Sequence, residues 1–188
     1  MGVIIASIFN YYFTFNLFEF GLIVFSAFIC DLDVFFSKYA KDHNHRNLFT
    51  HSIIPSITIL ILGIIFNWPA LIISGFTYFI HVFVDIFDWG TNFFYFPKKT
   101  FGPRLFMSQE EEEKLAEYLA QYKSPASFFD FKYYKSKVAL SIEVLLFILM
   151  MVSITLFAFD YFWIFLLYFP MLYFHLSRHY HLKKIESS

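Results

Sequence analysis

The sequence predicts an all-α, polytopic membrane helical bundle with about five transmembrane helices. Three observations predict it. Of the 188 residues, 59% are hydrophobic and only 15% are charged, too few to clothe a water-soluble globule of this size. The apolar residues gather in stretches close to the length that crosses a bilayer, about 20 residues. The 14 lysines and arginines avoid alternate connections, as membrane topology demands. A net charge of −1 without a basic block excludes a disordered chain and gives no expectation of nucleic-acid binding.

The first apolar stretch, Val3–Cys30, is long for one span and is interrupted by Asn10, Asn16 and Glu19. It reads either as one tilted helix or as an interfacial segment followed by a span from Leu17. The second span runs from about Ser52 to Phe66, and Asn67-Trp68-Pro69 turns the chain into a third, from Ala70 to about Phe87. The fourth and fifth, Val138–Phe159 and Tyr161 to about Phe174, form a hairpin. Asp88–Lys137 is the longest polar segment, and Ser108-Gln109-Glu110-Glu111 within it is a capping box opening a surface helix through about Tyr122. The chain reads as one membrane-embedded domain: a core of about 17–100, a loop of about 101–137, a hairpin 138–175 and a tail 176–188.

Lys38, Lys41 and Arg46 precede the second span; Lys98, Lys99, Arg104, Lys114, Lys123, Lys132, Lys135 and Lys137 separate the third from the fourth; Arg178, Lys183 and Lys184 follow the fifth. With about five spans, every one of them falls on one face, taken as cytoplasmic. The expected topology puts the N-terminus outside and the C-terminus inside a multi-pass protein of the inner membrane. The opening Met1-Gly2-Val3 has no positive charge, so no cleaved signal peptide is expected.

Polar residues near membrane depth are few and clustered. Asp31-Leu32-Asp33 closes the first stretch, His43, His45 and Arg46 lead into Thr50-His51-Ser52, and His81, Asp85 and Asp88 lie in or at the end of the third span. An ionisable side chain in hydrocarbon costs several kcal/mol unless it is paired, so such residues point to function. His81, Asp85 and Asp88 stand at i, i+4 and i+7 on one helix face. An extended chain at Asp31 and Asp33 would aim both carboxylates the same way. Each residue alone reads equally as a packing or solvating group; acids and histidines from separate spans meeting at one face favour a metal or proton site. Imidazole with carboxylate is the ligand set of zinc, iron and manganese. Cys30 is the only cysteine, which excludes a thiolate cluster and leaves nitrogen and oxygen ligands. Asp88, Glu143, Thr50 and Ser52 are candidate further ligands or supports of ligands. His175, His179 and His181 read as part of an interfacial tail.

Asp31-Leu32-Asp33, His45-Arg46 followed by Thr50-His51-Ser52, and His81 with Asp85 and a later Pro97 resemble the pattern of the YdjM-like family. Its members are small inner-membrane proteins regarded as metal-dependent hydrolases, some described as LexA-binding. The resemblance covers about residues 20–100, and the His-Arg-x-x-x-Thr-His-Ser element is its most specific part. Cys30 stands where the family has Pro, Ile80 where Ser is frequent and Asp88 where Thr is common. The resemblance implies that Asp31, Asp33, His51, His81 and Asp85 hold the metal. It makes His45 a candidate general acid and Arg46 a candidate anion-binding residue, since a guanidinium fork bonds two oxygens at once.

The function these features predict is hydrolysis, by a divalent ion, of a phosphate ester or lipid-like substrate at the cytoplasmic interface. Zinc leads the expected ions, with manganese or iron as alternatives. Membrane lipid is the expected surrounding partner. A proton or divalent-ion transporter built on the same cluster, or a non-catalytic membrane scaffold, are the competing readings.

Overall fold

The computed structural model describes residues 1–40, 45–95 and 101–188. His43, Lys41, Pro97, Lys98 and Lys99 lie outside the described residues. Apart from one isolated bridge between Thr91 and Phe101, the described secondary structure is helical.

The N-terminal stretch is neither of the two expected forms. It is a hairpin of two short helices, α1 (Gly2–Phe13) and α2 (Leu17–Ser26), turned at Thr14 in the left-handed region. The polar residues that interrupt the stretch make this turn. Asn16 caps α2 by accepting from the Glu19 N–H, and Glu19 returns a carboxylate to the Asn16 N–H. Gly2 packs against Val24 and Ala27, so the start of the chain lies beside the end of α2.

A second hairpin joins α3 (Ile53–Ile65) to α4 (Pro69–Asp88), with Pro69 in the first turn of α4 where its missing N–H costs nothing. Small residues let these helices close tightly: a Cβ on Gly63 would come 2.7 Å from the Ile72 nitrogen, and one on Gly75 2.8 Å from the Leu60 nitrogen. Ser56 donates to the Gly75 carbonyl at 2.9 Å across the same contact.

The third hairpin pairs α8 (Lys137–Phe157) with a 3-10 segment, Phe159–Leu167, that continues into α9 (Tyr168–Ser187). Pro170 falls in the first turn of α9, where a helix tolerates it. The tail expected after Phe174 is helical through Ser187. The three turns meet at one end of the bundle. Asn10 donates to the Phe157 carbonyl, Tyr161 to that of Phe15, and the Trp68 indole to the Glu19 carboxylate at 2.8 Å. Phe20, Ile23, Ala70, Ile73, Ile154 and Ile164 fill the core between the hairpins.

Pro69–Asp88, Lys137–Phe157 and Phe159–Ser187 are long and apolar enough to cross a membrane, and this is a membrane protein. Helices α1, α2 and α3 are shorter, about 15–20 Å each against a hydrocarbon layer of about 30 Å.

The surface helix expected from Ser108 begins as predicted, with both capping-box bonds formed. It breaks at Lys114 into α5 (Gln109–Glu113) and α6 (Leu115–Leu119). Glu111 and Glu112 pair with Lys132 and Arg104, whereas Tyr118 packs on Phe128. Helix α7 (Pro125–Lys135) then runs to within one residue of α8.

Candidate metal centre

At the end of the bundle opposite the three turns, a 3-10 segment, Ile29–Tyr39, follows α2. Two short 3-10 turns, His45–Asn47 and Phe49–His51, lead into α3. The extended backbone expected around Asp31 is therefore absent. At about three residues per turn, side chains two apart diverge by roughly 120° instead of aligning. Asp31 and Asp33 accordingly reach His51 from different sides.

His51 is fully buried, and its Nδ1 donates to the Asp33 carboxylate at 2.8 Å. That bond fixes the tautomer and leaves the Nε2 lone pair facing inward. Nε2 lies 3.6 Å from Asp31 Oδ1 and 3.5 Å from Asp85 Oδ2. His81 Nε2, one turn before Asp85 on α4, lies 3.4 Å from each of the same two oxygens. These separations exceed an ordinary N–H···O hydrogen bond. Each of the four N–O separations is close to the edge, about 3.4 Å, of a tetrahedron whose metal–ligand bonds are about 2.1 Å. His51 Nε2, His81 Nε2 and Asp85 Oδ2 are buried without a hydrogen-bond partner. Lone pairs turned toward one point repel unless a cation lies among them, so the residues fit a metal ion.

The Asp31 side chain is 50% exposed while those of His51, His81 and Asp85 are 0%, 18% and 6% exposed, so the cluster opens on the Asp31 side. Burial lowers the His45 imidazole, and the positive charge of Arg46 adds to the effect. The His45 ring stands edge-on to His51 with centroids 5.0 Å apart.

The remaining expected residues support this cluster or lie outside it. Asp33 is not among the oxygens at the inner face; it grips His51 and also accepts from the Thr50 hydroxyl. Ser52 donates to the Phe49 carbonyl and caps α3, so its hydroxyl is committed to backbone. Arg46 reaches Asp85 Oδ1 at 3.2 Å and the Asp85 carbonyl at 3.3 Å, which orients the carboxylate so that Oδ2 faces the histidines. Asp88 makes no ion pair with these histidines. Glu143 is not beside any of them: Tyr133 and Tyr168 donate to its carboxylate near the start of α8.

The structure also recruits residues that the pattern did not single out. Cys30 is buried, and its sulfur lies with ligand atoms of Asp31, His51 and His81, all within 4.8 Å of one another. A thiol therefore joins the nitrogen and oxygen set that was expected to stand alone. Its adjacency to Asp31 was the available signal. Tyr78 donates to the Thr50 carbonyl at 2.5 Å and Thr91 to the His51 carbonyl at 2.8 Å, pinning the turn that carries His51. Tyr78 precedes His81 by three residues and shares its helix face; Thr91 left no signal at all.

Comparison with known protein families, with curated proteins and with solved structures finds no match to this chain.

Proposed function

We infer that the protein is a membrane-embedded metal-dependent hydrolase, acting on a phosphate ester or lipid-like substrate at the cytoplasmic interface of the inner membrane. One observation carries this reading: each of two imidazole nitrogens lies 3.4–3.6 Å from the same two carboxylate oxygens, and three of these four atoms are buried and unpartnered. Asp31, His51, His81 and Asp85 would hold the ion, with zinc the best match to two imidazoles and carboxylates in a small cluster. Such an ion supplies Lewis acidity, the property hydrolysis of a phosphate ester draws on at neutral pH. The resemblance to the YdjM-like family implies these four residues together with Asp33.

The chain's own groups divide the rest of the work. Asp33 keeps the His51 ring in the tautomer that presents Nε2. Arg46 orients Asp85 and brings positive charge toward an anionic substrate. His45 is the candidate to carry a proton to or from the leaving group. The half-exposed Asp31 edge is the approach, and Leu32, Phe35 and Phe36 beside it are exposed apolar surface suited to an acyl or isoprenoid chain.

Elemental analysis of detergent-purified protein tests the reading. Wild type should carry a stoichiometric transition metal, and His81→Ala/Asp85→Ala should lose it while remaining folded. A wild-type protein that stays metal-free after exposure to zinc, manganese and iron would sink the hydrolase assignment and favour proton transfer through the same cluster.

A further inference from the structure

A second polar cluster joins α7 to α9, helices that carry none of the residues of the metal centre. Three rungs hold them antiparallel. The Glu186 carboxylate accepts from the Lys123 and Ser124 N–H groups at 3.1 and 3.0 Å, ahead of the first turn of α7. His179 Nδ1 donates to the buried Asp130 carboxylate at 2.5 Å. The Tyr134 hydroxyl meets His175 Nδ1 at 2.9 Å near the end of α7. His175 and His179, two of the three histidines expected in an interfacial tail, are therefore structural partners of α7.

A cavity of about 340 Å³ lies along this clamp, lined by Phe131, Tyr134 and Lys135 of α7 and by His179 and Lys183 of α9. Its lining residues are two exposed lysines, a histidine and two aromatics, with no Asp or Glu among them. Among the described residues neither Lys135 nor Lys183 forms an ion pair, whereas Lys114 and Lys132 are matched to Glu110 and Glu111. Asp130 occupies Nδ1 of His179, which leaves Nε2 as the ring nitrogen not already engaged. The volume is in the range of small-molecule sites and exceeds the space a bare ion needs.

The position narrows the chemistry further. Lys135 ends α7 one residue before the long apolar α8 begins, and Lys183 lies on the polar continuation of the last apolar helix. The cavity thus sits where two candidate spans leave the apolar layer, the depth at which lipid phosphates lie. Basic pockets between helices at that depth hold anionic headgroups.

We propose that the α7–α9 cavity binds a phosphate-bearing anion, supplied in the membrane by the headgroup of an anionic phospholipid. Lys135 and Lys183 neutralise the phosphate, and Phe131 and Tyr134 cover the carbon skeleton next to it.

Detergent-purified protein is titrated with short-chain phosphatidylglycerol, short-chain phosphatidylcholine and inorganic phosphate. The chains compared are wild type, Lys135→Ala/Lys183→Ala, Lys135→Arg/Lys183→Arg and, as a control, Lys114→Ala. Phosphatidylglycerol should bind wild type, the control and the arginine variant alike, and bind the alanine variant at least about tenfold more weakly. Phosphatidylcholine, whose headgroup carries its own cation, should show no dependence on the two lysines. Lysine-dependent binding of inorganic phosphate as tight as that of the lipid supports the anion site and assigns its source to solution. Equal phosphatidylglycerol affinity in wild type and the alanine variant, or equal affinity for both lipids, overturns the proposal. Where alanine lowers the melting temperature, Lys135→Met/Lys183→Met keeps the apolar stems and gives the same discrimination.

Discussion

The His51 ring is held from behind by Asp33 and presented in front to Asp31, His81 and Asp85. A carboxylate behind a ligand histidine raises its basicity and fixes its orientation, and its loss commonly costs about 10–100-fold in metal affinity. Asp33→Asn keeps an acceptor for Nδ1–H but removes the charge. It should weaken zinc binding by roughly that factor with little change in melting temperature, read by competition with a chromogenic chelator. Unchanged affinity would leave Asp33 a packing residue. Asp31 and Asp33 are chemically identical and two positions apart, so nothing in their side chains tells ligand from support. The 3-10 turn between them decides it. Cys30 is a similar case: its place beside Asp31 was the one hint in the sequence, and the fold brings its sulfur to the histidines.

Helices α3 and α4 carry His51 at the entrance of one and His81 with Asp85 on the other, so their separation sets the width of the centre. Gly75→Val would drive a branched side chain into the Leu60 backbone. A destabilisation of about 1–3 kcal/mol is expected, read as a lower melting temperature in detergent. Metal affinity should fall with it, since Gly75 lies on the helix that carries His81. Wild-type melting would show that the hairpin can open without cost. A second element answers to pH. Burial raises the Glu111 carboxyl, but Lys132 and the Ser108 groups outweigh it and hold it below its ordinary value of 4.5. Its clamp on α7 is fully present above that value and is lost as pH falls through the lower folded one. Amide protection across 108–119, corrected for the intrinsic exchange rate, should fall as the pH drops below 4.5, and Lys132→Met should shrink that pH dependence. The capping box here was plain in the sequence. The break at Lys114 was not, because no glycine or proline marks that position.

Three hairpins, turned at 14–16, 66–68 and 158–160, make up the molecule, and their turns meet at one end. Met1, the metal centre and the α7–α9 clamp therefore share the other end. The expected topology instead put the N-terminus and the tail on opposite faces. Every charged connection keeps its side in the hairpin arrangement, because adding α1 moves only the residues before it, and these hold no lysine or arginine. In sealed membrane vesicles, tags at both ends should be cut together by added protease or protected together; cleavage of one alone would restore the odd span count. Sequence alone established a helical membrane protein and marked the acids and histidines that the fold gathers, because hydropathy and the cost of buried charge act residue by residue. It also determined the caps at Asn16 and Ser108, where both partners lie within one turn. Only the tertiary structure decided that the first stretch folds back on itself, that Glu143 serves tyrosines and that Asp33 stands behind His51. Each of those depends on contacts between groups far apart in the chain or on a local helix type, and neither is written in the spacing of polar residues.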